Sequence, residues 1–230
     1  MKGEVIIACD FSTEKECLNF LEAFNKEKPY LKIGMELYYQ AGADFVKKLK
    51  QKGFKIFLDL KLHDIPNTVY KTMKGLASLG VDMTNLHAAG GIKMMREAKR
   101  GLTEGAVNNN VPLLIAVTQL TSTDQETLTK EILIDKPILD VVTKYAENAK
   151  EAGLDGVVCS PLEASAVKTL GLISVTPGIR LANDSVNDQK RVATPAYAKE
   201  NGSTFIVVGR SITEASDPVE AYRECARQFN

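Results

Sequence analysis

The sequence predicts an α/β protein of a single domain, residues 1–230, folded as a (β/α)8 TIM barrel. Three observations carry that prediction. Short apolar runs recur eight times and do not alternate with polar residues, as expected of parallel strands buried on both faces. Segments with helical spacing lie between them. The length of 230 residues is close to the ~250 typical of such barrels. An open doubly wound sheet is the competing arrangement for the same alternation.

Residues 5–9 form the first run, which Asp10 ends. Ser12-Thr-Glu-Lys-Glu then opens a helix with a capping hydroxyl and early acids, and Cys17, Leu18, Leu21 and Phe24 give it an apolar stripe. The second run, 31–33, precedes a helix marked by Phe45, Val46 and Leu49 and closed by Gly53. After the third run, 56–60, Pro66 suits a first helical turn, Val69, Met73, Leu76 and Ala77 face inward, and Gly80 stops the helix. The fourth and fifth runs are 83–86 and 113–117. Residues 119–136 read as a rim loop with a short helix, followed by a longer helix carrying Ile138, Val141, Val142, Tyr145 and Ala149. Runs at 156–158, 172–175 and 205–208 complete the set, and Asp217-Pro218 opens the last helix. Residues 179–191 are polar and lack helical periodicity, a pattern expected of an active-site lid.

Composition narrows the partners. The 29 basic and 29 acidic residues cancel, so no general attraction to nucleic acid or anionic membrane is expected. The four cysteines, Cys9, Cys17, Cys159 and Cys225, lack C-x-x-C spacing and read as reduced core thiols of a cytoplasmic protein. His63 and His87 have no second ligand at metal-binding spacing, and neither is given a role. The opening residues are too soon broken by Asp10 to make a signal peptide, and no apolar run approaches the ~20 residues of a membrane span.

The third strand carries the chemistry. Asp59 and Lys61 are spaced to share one face of an extended strand, opposite Leu58, Leu60 and Leu62, and Asp64 follows before Pro66 ends the strand. Opposite charges thus fall on an interior face at the C-terminal end, where barrels of this class keep their reactive groups. A pair serving packing alone is poorly motivated, because apolar residues would do as well without the desolvation cost. Lys32, flanked by Leu31 and Ile33, needs a carboxylate partner, and Asp59 on the next strand is the natural one. A lone strand-end aspartate such as Asp10 is often only a helix cap. Thr176-Pro-Gly-Ile-Arg180 after the seventh strand and Val208-Gly-Arg-Ser211 after the eighth combine Gly178 and Gly209 with Arg210, a pairing that favours a phosphorylated small molecule. Gln119 and Thr121 offer donors and acceptors suited to a heterocyclic amide.

Taken together, Asp10, Lys32, Asp59-Leu-Lys-Leu-His-Asp-Ile-Pro-Asn-Thr68, Asn85-Leu-His-Ala-Ala-Gly-Gly91, Thr118-Gln-Leu-Thr121, Thr176-Pro-Gly-Ile-Arg180, Gln189 and Val208-Gly-Arg-Ser211 resemble the orotidine 5′-phosphate decarboxylase family across the whole chain. The resemblance implies a homodimer, free of cofactor and metal, that converts orotidine 5′-phosphate to UMP and CO2 in de novo pyrimidine synthesis. It implies catalytic roles for Lys61 as proton donor to C6 and for Asp59, Lys32 and Asp64. It further implies substrate contacts from Asp10, Lys32, Ile65, Thr68, Thr121, Pro177, Arg180, Gln189, Gly209 and Arg210, with Asp64, Ile65 and Thr68 crossing into the partner's site. Sugar-phosphate decarboxylases and aldolases on similar barrels share the D-x-K-x-x-D strand but use Mg²⁺; the Pro-Asn-Thr continuation and the 118–121 loop favour the nucleotide. Intact Asp59, Lys61 and Asp64 argue against a binding barrel without turnover.

Overall fold

A computed structural model describes residues 3–181 and 193–230. Its eight parallel strands close into a barrel in chain order: β1 (Glu4–Ala8), β2 (Tyr30–Gly34), β3 (Ile56–Leu62), β4 (Met83–His87), β5 (Leu113–Val117), β6 (Gly156–Val158), β7 (Ile173–Ile179) and β8 (Phe205–Val208). The closed ring excludes the doubly wound alternative. Around it run α1 (Glu14–Glu22), α2 (Met35–Gln51), α3 (Pro66–Ala77), α4 (Gly91–Gly105), α5 (Gln125–Lys130), α6 (Ile138–Glu151), α7 (Ala164–Thr169), α8 (Pro195–Glu200), α9 (Arg210–Thr213) and α10 (Pro218–Phe229).

Local chemistry explains the boundaries. Thr13 caps α1 by accepting the Glu16 N–H at 3.2 Å, and Asp217 caps α10 by accepting that of Glu220 at 3.0 Å. Pro66 and Pro218 occupy first turns, where no N–H is missed. Two elements differ from the expectation. Helix α2 begins directly after β2 and is interrupted at Gly42, whose φ of 74° only glycine adopts without strain. Strand β7 runs on through Pro177 and Gly178, further than its apolar run, because a register shift against β8 between Thr176 and Ile179 lets the polar end stay paired.

Burial divides the core into two layers, as parallel strands covered on both faces require. Ile6, Tyr30, Phe57, Met83, Ile115 and Phe205 fill the barrel, while Ile7, Leu31, Ile33 and Leu58 pack outward against the helices. All four cysteines are buried and none forms a disulfide. Among the described residues no helix is long and apolar enough to cross a membrane.

The seam between α3 and α4 has no side chain at its closest points. A β-carbon at Gly101 would lie 2.3 Å from the Tyr70 carbonyl oxygen, and one at Gly105 2.2 Å from that of Lys74. Backbone sits against backbone there, so α4 holds α3, and with it the residues that lead into α3, at a fixed distance.

Candidate active site

Strand register brings the interior charges to one level. Ala8 stands beside Lys32, Lys32 beside Phe57, and Gly34 beside Asp59, all at the C-terminal ends of β1 to β3. Lys32 reaches Asp10 Oδ1 at 2.8 Å and Asp59 Oδ2 at 3.6 Å. Lys61 Nζ donates to Asp59 Oδ1 at 2.7 Å. The alternation of cation and anion that the spacing suggested is therefore continuous, and Asp10 belongs to it. Gly34 leaves the row room, since a β-carbon there would crowd Asp10 Oδ1 at 3.1 Å and Lys32 Nζ at 3.2 Å.

The electrostatics follow from burial and proximity. Burial pushes the Asp59 carboxyl up, but Lys32, Lys61 and the hydrogen bonds from Lys61 and Asn85 outweigh it and hold the group below the usual carboxylate range. Burial pushes the Lys32 ammonium down, yet Asp10 and Asp59 leave it above the usual lysine value. Both groups are charged at neutral pH. His87, at the end of β4, is lowered by burial first and then by His63 and Lys61; the two imidazoles lie 5.8 Å apart, centre to centre.

These groups face a cavity of about 680 Å³ at the C-terminal mouth of the barrel. Asp10, Lys32, Asp59, Lys61, Thr121, Pro177, Arg180, Gly209 and Arg210 all line it, so residues from six strands or the loops after them meet in one place. Its floor is apolar, formed by Phe57, Val117, Val158 and Val175 among others. Asp64, Ile65 and Thr68 do not line it. They are exposed on the rim, with Ile65 67 % accessible, and Asp64 Oδ1 accepts the Ile65 N–H at 2.6 Å. Gln189 and most of segment 179–191 lie outside the described residues.

Simple alternation does not carry through β3, because Lys61 is left-handed, with φ of 50°, and the pairing of β3 with β4 shifts between Leu58 and Leu62. Lys61 faces the cavity through a bulge rather than a regular pleat, a strained conformation for a residue with a β-carbon. Asn85 on β4, part of the motif 85–91 but without a role there, joins the row. Its Nδ2 donates to Asp59 Oδ1 at 2.7 Å, and its Oδ1 accepts the Lys61 backbone N–H at 2.8 Å. A poor strand former in the middle of an apolar run was the available signal, since a buried amide must find partners.

Charged side chains converging on a cavity at the C-terminal face of a closed parallel barrel define a (β/α)8-barrel enzyme. A family model described as Orotidine 5'-phosphate decarboxylase / HUMPS family matches residues 3–225, and the chain belongs to that family. The orotidine 5'-phosphate decarboxylase of Bacillus cytotoxicus is 53% identical across 100% of this chain and 98% of that protein. The crystal structure of orotidine 5'-phosphate decarboxylase from Lactobacillus acidophilus superposes with a TM-score of 0.90 at 45% identity, covering 100% of both chains. The enzyme of the same name from Pyrococcus horikoshii, at 21% identity and a TM-score of 0.76, shares the fold.

Proposed function

We propose that this chain decarboxylates orotidine 5′-phosphate to UMP and CO2, supplying UMP in pyrimidine biosynthesis, with Lys61 delivering the proton and Asp59 opposing the leaving carboxylate. The observation that carries the reading is the buried row Asp10, Lys32, Asp59 and Lys61 beside an apolar floor, in a chain of this family. Asp59 is held ionised by its lysines. A second carboxylate ~4 Å away at an effective dielectric near 20 is repelled by about 4 kcal/mol. That repulsion disappears as the C6–carboxylate bond breaks and neutral CO2 departs. The electron pair stays on C6, where Lys32 and Lys61 stabilise it, and Lys61 Nζ then transfers a proton to C6 and regains one from solvent.

The remaining roles follow the same reading. Asp10 and Lys32 hold the ribose hydroxyls, Thr121 meets the pyrimidine amide, and Pro177 flanks the ligand. Arg180, Gly209 and Arg210 take the phosphate, while Gln189 closes over it. Phosphate binding far from C6 supplies energy that offsets the repulsion at the reacting bond. The enzyme works as a cytoplasmic homodimer without metal or cofactor, and Asp64, Ile65 and Thr68 enter the partner's cavity. An exposed isoleucine next to an acid, outside its own chain's cavity, supports that arm. Mixing inactive Lys61→Ala and Asp64→Asn proteins should restore about a quarter of the wild-type activity, because half the reassorted dimers carry one intact site.

The direct test follows ultraviolet absorbance after mixing orotidine 5′-phosphate with protein dialysed against EDTA. Loss of substrate absorbance with formation of UMP is expected; an inert protein would overturn the assignment.

A further inference from the structure

We infer that Asn85 is a positioning residue for this decarboxylation, one amide that sets the Asp59 carboxylate and the Lys61 main chain against each other. The inference rests on the function proposed above and deepens it. Where β3 leaves its ladder with β4, two side chains of β4 replace the missing main-chain bonds. Thr84 Oγ1 donates to the Leu58 carbonyl at 2.9 Å, and Asn85 Oδ1 accepts the Lys61 N–H at 2.8 Å. Without that acceptor the left-handed Lys61 would have a partly buried N–H turned away from the ladder and nothing to offset its backbone strain.

The other end of the same amide addresses the carboxylate. Asn85 Nδ2 and Lys61 Nζ both reach Asp59 Oδ1 at 2.7 Å, which leaves Oδ2 toward Lys32 at 3.6 Å. The carboxylate plane is fixed by these unequal demands, and so is the oxygen that faces the substrate. Asn85 is 1% exposed, so water does not compete for it. The side-chain type is restricted. An ionised aspartate lacks the donor, alanine and serine lack the reach, and glutamine is one methylene too long for a closed-packed strand.

Asn85→Ala and Asn85→Asp separate the two halves. Each is expected to lower kcat about 100-fold at pH 8, the scale of a small misplacement of reacting groups, while UMP affinity stays within about threefold because the ribose and phosphate contacts lie elsewhere. The pH dependence is specific. Next to Asp59 the introduced carboxyl shares a proton and titrates high; once protonated it can donate to Asp59 Oδ1 as the amide did. The activity of Asn85→Asp relative to wild type should therefore rise about tenfold between pH 8 and pH 5.5, and that of Asn85→Ala should stay flat.

Hydrogen exchange at the Lys61 amide gives a readout that does not need turnover. Protection should be lost in Asn85→Ala and kept in Asn85→Asp, which retains the acceptor. Wild-type protein without activity would overturn the proposed function and leave this exchange test standing. An active wild type with Asn85→Ala above half its kcat, or a pH-independent activity ratio for Asn85→Asp, would overturn the positioning role. If Asn85→Ala does not fold, the activity ratio of Asn85→Asp decides alone.

Discussion

At the N-terminal rim of the barrel, Asp82 receives Lys50 at 2.5 Å and the Ile56 N–H at 2.7 Å, and Asp155 receives Lys99 at 2.7 Å and the Leu114 N–H at 2.8 Å. At the C-terminal rim, Asp59 receives Lys61, Lys32 and the Asn85 amide while lining a cavity. The same residue types serve different ends. Each lower aspartate sits just ahead of a strand and ties an N–H at the start of the strand before it to a helix lysine, so its bonds are spent on closing the ring. The upper aspartate shares two cations, one of which, Lys32, it divides with Asp10. A carboxylate engaged in ladder closure stabilises, whereas one sharing cations at a cavity wall stores charge for an incoming anion.

Substitutions can break that contrast. The largest effect is expected for Lys61→Ala, which should lower kcat by about 10⁴-fold or more, since it removes the proposed proton donor and one of the two charges proposed to stabilise the carbanion. Calorimetric titration with UMP should still detect binding. Next comes Asp59→Asn, expected to cost about 10³-fold in kcat by single-turnover kinetics.

Its pH behaviour has a definite sign. The folded-state pKa of Asp59 is depressed, so its ionisation contributes stability above the ordinary carboxylate value and loses it as pH falls through the folded pKa. Relative to Asp59→Asn, the wild type should lose urea stability only below about pH 4, not between pH 7 and 5. The smallest functional effect belongs to the lower rim. Asp82→Ala should destabilise by about 2–3 kcal/mol in urea unfolding, as expected for lost hydrogen bonds to a charged acceptor, with kcat changed less than about twofold. If Asp82→Ala damaged catalysis as much as Asp59→Asn, the division of labour between the rims would fail.

Much of this architecture is written locally in the chain. Continuous apolar runs gave the strands, and caps such as Thr13 and Asp217 gave helix starts, because both signals depend on neighbours in sequence. The charged row was legible too, since ions inside apolar runs are costly enough to demand partners. What escaped depended on contacts between strands. Asn85 makes sense only beside a bulge in β3, and the bulge itself is invisible in a sequence that alternates correctly through Lys61. Gly34 looks like an ordinary strand end until Asp10 and Lys32 are seen to fill its missing side chain's space. The extension of β7 past Val175 likewise needed its pairing with β8.

The bare seam at Gly101 and Gly105 makes α3 and α4 a lever without slack. Because α3 starts at Pro66, any displacement of that lever is delivered straight to Asp64 and Ile65 rather than absorbed by repacking. A methyl group added at either glycine touches only the outer helices, yet it would shift the stretch proposed above to enter the partner's cavity. On that proposal, loss of turnover from such a change would look like damaged chemistry and would be a misdirected reach.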